Sequence, residues 1–331
     1  MLTRRKLIKR LAVITASLNL PIWKDVFASV AGSDELGELL PLRPLGNTGV
    51  KITMLGVGGH HVGGEMSDKE AEATIETAIE GGVRFFDSAE GYQDGGSELR
   101  LGKFLVPKYR EHVFLMTKCE QNNIKDARKS LDASLKRLNT DYLDLWQMHS
   151  LESTEDVEER INGGLLDAML EAKESGKVKY IGFTGHATPK THALMLEKTQ
   201  IFDTCQMPVN VCDTWYKSFI TDVMPALLQR NMGILAMKTL GEGAFFEKWE
   251  TKNKELSIVP EMISVKEALF FVWSLPVSTI ITGPDNAEMM KEKIELARSF
   301  TRLDEAERQK LIEKVADIAS TGKAEDYKYG E

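Results

Sequence analysis

The sequence predicts a closed (β/α)8, or TIM, barrel with an N-terminal β-hairpin ahead of it and an extra C-terminal helix behind. Three observations carry that expectation. Short apolar runs alternate with amphipathic stretches at a spacing of about 30 residues from residue 42 onward, the length of one strand plus one helix. The runs are nearly continuous in apolar residues, as expected of parallel strands buried on both faces. The competing doubly wound sheet carries GxGxxG after its first strand, whereas here the glycines read Gly56-Val57-Gly58-Gly59-His60-His61. A chain of 331 residues holds one such barrel, commonly about 250 residues, with additions at both ends. It divides into a signal-like export segment (1–31), the barrel (42–300) and a C-terminal helical extension (301–331).

Taken in order, LRPLGNTGVKITMLGVGG begins with a hairpin around Gly46-Asn47-Thr48-Gly49 and runs into a first barrel strand ending at Gly58-Gly59. Ser67-Asp68-Lys69-Glu70 is a capping box for a helix to Glu80, and Gly81-Gly82 closes it. There follow strand 83–87, helix 97–105, strand 113–118, helix 125–138, strand 142–149 and helix 164–175. The second half continues with strand 179–184, helix 189–197, strand 203–207, helix 219–230, strand 233–238, helix 264–274, strand 278–282 and helix 286–297. The connection 241–262 is the longest, and 304–319 reads as one further amphipathic helix.

Charge and cysteine content exclude several functions. The net charge is −8, and the first 31 residues hold six Lys or Arg against one Asp, so the remainder sets 36 basic against 49 acidic side chains. That balance argues against a nucleic-acid partner. Cys119, Cys205 and Cys212 are odd in number and lack CxxC spacing, which argues against a disulfide framework, a zinc site or an iron–sulfur cluster. They read as small packed residues, with Cys119 turned away from Lys118. At the N-terminus, Thr3-Arg4-Arg5-Lys6-Leu7-Ile8-Lys9, an apolar stretch of about 13 residues with Pro21, and Ala28-Ser29-Val30-Ala31 have the layout of an export signal. The paired arginines resemble the twin-arginine signal, which implies export machinery as a partner and a periplasmic or exported location. The stretch is too short for a stable membrane span of about 20 residues. A basic anchor or frayed tail on a cytoplasmic protein is the alternative.

Candidate chemistry gathers where the strands end. Asp87, Tyr92, Lys118 and His149 sit at or just past the ends of VRFFD, VFLMTK and YLDLWQMH. Parallel barrel strands all end on one face, so these residues meet around one cavity. A tyrosine can protonate a developing alkoxide, but its pKa of about 10 makes it a sluggish partner near neutrality. A lysine ammonium about 4 Å away favours tyrosinate by up to about 3 pKa units, and a carboxylate behind the lysine keeps it charged and fixed. His149 is then expected to donate a hydrogen bond to a substrate carbonyl. None of the four supplies a hydride, so a cofactor is needed and nicotinamide is the economical choice, with Thr184, Gln206, Lys238 and the backbone of Gly283 on other strand ends able to hold it.

Over nearly all of residues 42–300 the chain resembles the aldo-keto reductase family. The stretches that carry the likeness include FFDSAEGYQDGGSELRLG, MTKC, DLWQMH, YIGFTGH, CQMPVN, GILAMKTLGEG and TIITGPDNAE. The resemblance implies a (β/α)8 barrel, reversible NADPH-linked carbonyl reduction, and a catalytic tetrad of Asp87, Tyr92, Lys118 and His149 with Tyr92 as general acid. It implies carboxamide ligands at Thr184 and Gln206, nicotinamide packing at Met237, and phosphate contacts near Lys238, Leu240 and Gly283, with Gly59 completing the cofactor-binding set. Three positions depart from the family pattern: Thr184-Gly185 replaces a Ser-Asn pair, Met237 an aromatic ring, and Met289, near Lys291 and Lys293, an arginine. NADH is therefore admitted beside NADPH.

Three functions remain. The first is reduction of an aldehyde or ketone to an alcohol. The second is an exported enzyme with tightly held nicotinamide that performs paired oxidation and reduction, or epimerisation, of sugar-like substrates. The third is a nucleotide-binding sensor or subunit with little catalysis, against which intact Tyr92 and Lys118 weigh. A metal hydrolase built on His60, His61 and His149 is weaker still, because adjacent histidines on a strand face opposite ways and do not easily ligate one ion.

Overall fold

A computed structural model describes residues 30–64, 66–243, 245, 259 and 262–329. Residues 1–29 of the signal-like segment and most of the connection 241–262 lie outside the described residues. Two small hairpins open the described part of the chain, β1 (Ser33–Asp34) with β2 (Gly37–Glu38) and β3 (Leu42–Pro44) with β4 (Lys51–Thr53). Eight parallel strands follow: β5 (Leu55–Gly58), β6 (Phe85–Asp87), β7 (Phe114–Cys119), β8 (Leu143–Met148), β9 (Val178–Thr184), β10 (Thr204–Pro208), β11 (Gly233–Met237) and β12 (Thr279–Thr282). They pair in chain order, and β12 closes on β5 through Ile281 opposite Gly56. The predicted (β/α)8 barrel with its N-terminal hairpin is therefore the observed fold.

The strands alternate two faces, and the two faces build two cores. Inside the barrel, Phe85, Phe114, Met116, Leu145, Leu235 and Ile281 pack with Leu45 and Ile52 of the β3–β4 hairpin, which plugs the floor. Phe85 stacks on Phe114 with ring centroids 5.3 Å apart. Outside, residues such as Trp146, Phe183 and Cys119 join the larger core between strands and helices. Two residues beyond Phe85, Met116 and Leu145 on the inward face stand Asp87, Lys118 and Gln147, so the interior changes from apolar to polar toward the strand C-termini.

The helices follow the predicted rhythm with local departures. Ser67 forms a complete capping box with Glu70 at the helix Asp68–Glu80, and Ser264 does the same with Glu267 at Val265–Trp273. The stretch 219–230 is two helices, Phe219–Asp222 and Met224–Gln229, because Pro225 has no N–H to carry the ladder across. Residues 304–319 likewise divide, into Glu305–Lys314 and Ala316–Ala319. An unforeseen helix, Thr154–Asn162, is capped by Ser153. His60 and His61 lie on the helical turn Gly59–Gly63 rather than on a strand, which corrects the opposite-face expectation. The three cysteines are free and buried, and burial pushes each thiol up, for Cys119 to about 12.

Candidate active site

Lys118 is the hub of the polar layer. It is 1 % exposed, and its ammonium makes three contacts: an ion pair with Asp87 Oδ1 at 2.5 Å, a hydrogen bond to the Ser88 carbonyl at 2.7 Å, and one to the Tyr92 hydroxyl at 3.1 Å. Asp87 ends β6 and Lys118 lies near the end of the adjacent β7, so strand pairing alone sets the first contact. Tyr92 comes from a loop whose next residues, Gln93, Asp94 and Gly95, all take positive φ. That loop is pinned from behind. Ser97 Oγ meets Ser88 Oγ at 2.8 Å, and the fully buried Glu98 accepts from Thr117 at 2.5 Å and from Arg137 at 2.6 Å. The Ser-Glu pair of the sequence signature thus holds the tyrosine loop in place and takes no direct part at the cavity.

His149 follows β8 and completes the group. Its ring lies edge-on to Tyr92 with centroids 5.6 Å apart, and His60 flanks Tyr92 on another side at 5.2 Å. The His149 Nδ1 is 3.1 Å from Glu120 Oε1. All four predicted residues are brought together, along with two neighbours outside that set. His60 was expected either at a metal or, with His61, at the cavity mouth against substrate, and Glu120 had no signal beyond standing two residues past Lys118.

The electrostatics differ from expectation at one point. Burial opposes the charge on Lys118, but Asp87 and then Tyr92 outweigh it and hold the ammonium above its ordinary value. For Tyr92 burial is the largest influence and Lys118 the second, and Asp87 opposes the lysine; the phenol is held above its usual range, not below it. The predicted acidification is therefore corrected: a desolvated phenol beside a neutralised ion pair keeps its proton. Burial pushes His149 down to about 4 against the pull of Glu120, so the imidazole is neutral.

The residues expected around a cofactor stand on the same rim. Gln206 and Thr184 are paired across β10 and β9, both 2 % exposed. Gln206 Oε1 is buried without a hydrogen-bond partner among the described residues, while its Nε2 and the Thr184 hydroxyl lie 3.8 and 4.0 Å from Met237 Sδ. An orphaned buried acceptor beside a thioether fits a planar primary carboxamide, so these residues suit a nicotinamide. Lys238 is ion-paired with Glu242 and lies 4.9 Å from the centre of the Tyr327 ring, and Leu240 is half-buried next to it. Gly283 is closely covered: a Cβ there would sit 2.3 Å from His61, which is itself bound to Asp285 at 2.8 Å. Gly59 packs against the Asp87 carbonyl, where a Cβ would come within 2.3 Å, so the geometry gives it a packing role. Among the described residues no cluster of three or more His, Cys, Asp or Glu could hold a metal ion, and no helix is long and apolar enough to cross a membrane.

Known proteins match the chain in sequence and in fold. The aldo/keto reductase family model matches residues 54–320. L-galactose dehydrogenase of Arabidopsis thaliana is 30 % identical over 240 residues, covering 66 % of this chain and 72 % of the relative. An NADP(+)-designated aldo-keto reductase of Schizosaccharomyces pombe is 28 % identical over 225 residues, 62 % of each chain. The holo form of an aldo-keto reductase from Bacillus halodurans superposes with a TM-score of 0.70 at 20 % identity, covering 83 % of this chain and 96 % of that one, a likeness of fold. With the barrel, the match over most of its length and relatives named as oxidoreductases, this chain belongs to the aldo/keto reductase family and is an oxidoreductase.

Proposed function

We propose that the chain catalyses reversible reduction of an aldehyde or ketone to an alcohol with NADPH or NADH, and that Tyr92 is its proton donor. One observation carries the reading: a buried ammonium joined at once to Asp87 and to the Tyr92 hydroxyl. A reduced nicotinamide would supply the hydride, held by Thr184, Gln206 and Met237 with Lys238, Leu240 and Gly283 along the rim. Tyr92 rests protonated, which suits a group that must give a proton to the oxygen of a carbonyl. As that proton leaves, charge develops on the phenol oxygen, and Lys118 already donates to that atom, so its attraction acts most strongly in the transition state. Asp87 keeps the ammonium charged and aimed. Screening aldehydes, ketones and sugars with NADPH and with NADH, beside the Tyr92→Phe protein, tests this; turnover independent of Tyr92 would reject it.

A second reading, a tightly held nicotinamide cycling on paired or sugar-like substrates, is supported by the C-terminal tail. Lys328, wholly buried with Asp213 and Glu325 at 2.7 and 2.8 Å, anchors that tail so that Tyr327 lies over Lys238. Cofactor surviving gel filtration would favour it, and rapid exchange with added NADPH would count against it. Export through the twin-arginine route is likewise our proposal, resting on the sequence of residues 1–31; an intact Met1 on protein recovered from the cell envelope would reject cleavage.

A further inference from the structure

We infer that Glu120 fixes His149 as a hydrogen-bond acceptor, so that the reacting wall of the cavity is matched to the hydroxyl of an alcohol more closely than to a carbonyl. The inference rests on the oxidoreductase reading above and deepens it by naming which form of the substrate the site prefers.

The Lys118 ammonium has three donors and three contacts, Asp87, the Ser88 carbonyl and the Tyr92 oxygen. Tyr92 accepts from the lysine, so its own O–H remains to be given to a ligand. On the other side, His149 Nδ1 faces Glu120 Oε1 at 3.1 Å. An ionised carboxylate only accepts, so the shared proton belongs to Nδ1. A neutral imidazole has a single N–H, and with that one committed to Glu120, Nε2 is left with a lone pair. No partner for Nε2 is found among the described residues. Burial keeps the imidazole neutral, and the bond from His149 holds the Glu120 carboxyl below its usual range.

Glu120 is also held in position. Its backbone N–H donates to Glu90 Oε1 at 2.6 Å, and its carboxylate rests against the bare face of Gly91, where a Cβ would stand 1.9 Å from Oε1. Tyr92 and His149 together therefore offer one donor, Tyr92 O–H, and one acceptor, His149 Nε2, from rings 5.6 Å apart. A hydroxyl oxygen can satisfy both, since it accepts and donates. A carbonyl oxygen only accepts; it satisfies Tyr92 and sets its second lone pair against that of Nε2. This reverses the donor role expected of His149, and it makes Glu120 a positioning residue acting through the histidine.

The test uses the full chain with ¹⁵N-labelled histidine. Near pH 7 the NMR spectrum of His149 is expected to report the Nδ1–H tautomer, and Glu120→Leu is expected to release it toward Nε2–H; the Glu120 side chain is 49 % exposed, so this change leaves no buried charge behind. Titration of cyclohexanol and cyclohexanone onto the same samples should give tighter binding of the alcohol by about tenfold, the worth of one hydrogen bond, with the advantage lost in Glu120→Leu. An Nε2–H tautomer or an imidazolium in the unaltered protein, a tautomer indifferent to Glu120, or tighter binding of the ketone overturns the inference. If that happens while turnover still depends on Tyr92, the oxidoreductase reading stands alone; the expected tautomer in a protein without Tyr92-dependent turnover would reject that reading instead.

Discussion

The two ends of the barrel both carry buried ionisable groups, and they use them differently. At the N-terminal end, Arg110 and Lys179 each reach Asp144 at 2.9 Å, and Arg84 pairs with Asp34 at 2.7 Å. Their spare donors and acceptors are occupied as well: Asp144 accepts from the Leu115 backbone at 3.0 Å, and Arg84 donates to the Ile79 and Val83 carbonyls at 2.8 and 2.9 Å. At the C-terminal end Gln206 Oε1 has no partner and the His149 Nε2 none among the described residues. The satisfied groups tie strands to loops, while Gln206 and His149 are placed to meet a ligand. Position along the strand separates the two roles: the β3–β4 hairpin packs into one end of the barrel and the βα loops gather at the other.

Substitutions at each end sharpen that contrast. The largest effect is expected from Tyr92→Phe, which removes the proton donor: turnover falls by about 10²- to 10⁴-fold while the thermal midpoint stays put. Steady-state rates and melting curves on one preparation decide it. Lys118→Met comes next, with turnover down by about a hundredfold. Unlike the tyrosine change it also costs about 3–5 kcal/mol of stability, since Asp87 is left buried without its cation. Asp87→Asn is milder, about tenfold in rate, because the amide still accepts from the lysine. A greater loss from Asp87→Asn than from Lys118→Met would show that the carboxylate contributes more than support.

The opposite end should give the opposite pattern. Arg110→Ala breaks a buried pair and is expected to lower stability by about 3 kcal/mol with kcat of the folded protein within about twofold, measured by urea unfolding and rate assays. A rate loss as large as that of Asp87→Asn would abolish the distinction. The last expected effect is on pH. Folded His149 and His192 lie at about 4 and about 3, both pushed down first by burial, whereas an unfolded histidine titrates near about 6.5. Below that value the unfolded chain takes up protons the folded chain refuses, so their contribution is whole above about pH 6.5 and is lost as pH falls through about 4 for His149 and about 3 for His192. Melting midpoints should drop through that window, and less steeply in His192→Phe.

The barrel was legible because its information is local and periodic. Apolar runs of strand length, the Ser67-to-Glu70 capping box and the closing Gly81-Gly82 each act within a few residues, and parallel strands leave little freedom in how they are joined. Asp87, Lys118 and His149 followed from the same logic, since residues at successive strand ends must share a face. Pro225 could have been used to divide the helix at 219–230, and the histidines after Gly59 could have been placed on a turn, but both depend on how a loop meets its neighbours.

Three things were decided only by the tertiary structure. One is that Tyr92 holds its proton: a sequence places Lys118 nearby but does not weigh desolvation against attraction, and in a dry layer with Asp87 neutralising the ammonium, desolvation wins. Another is the partner of His149, because Glu120 points from the end of β7 to a ring on the next strand only once loop and strand have met. The last is the anchor of the C-terminal tail, where Lys328 finds Asp213 across 115 residues of sequence. Backbone preference and apolar period are properties of short segments and can be read from the chain; the charge state and hydrogen-bond direction of a buried group are set by everything packed around it, and those neighbours come from every part of the sequence.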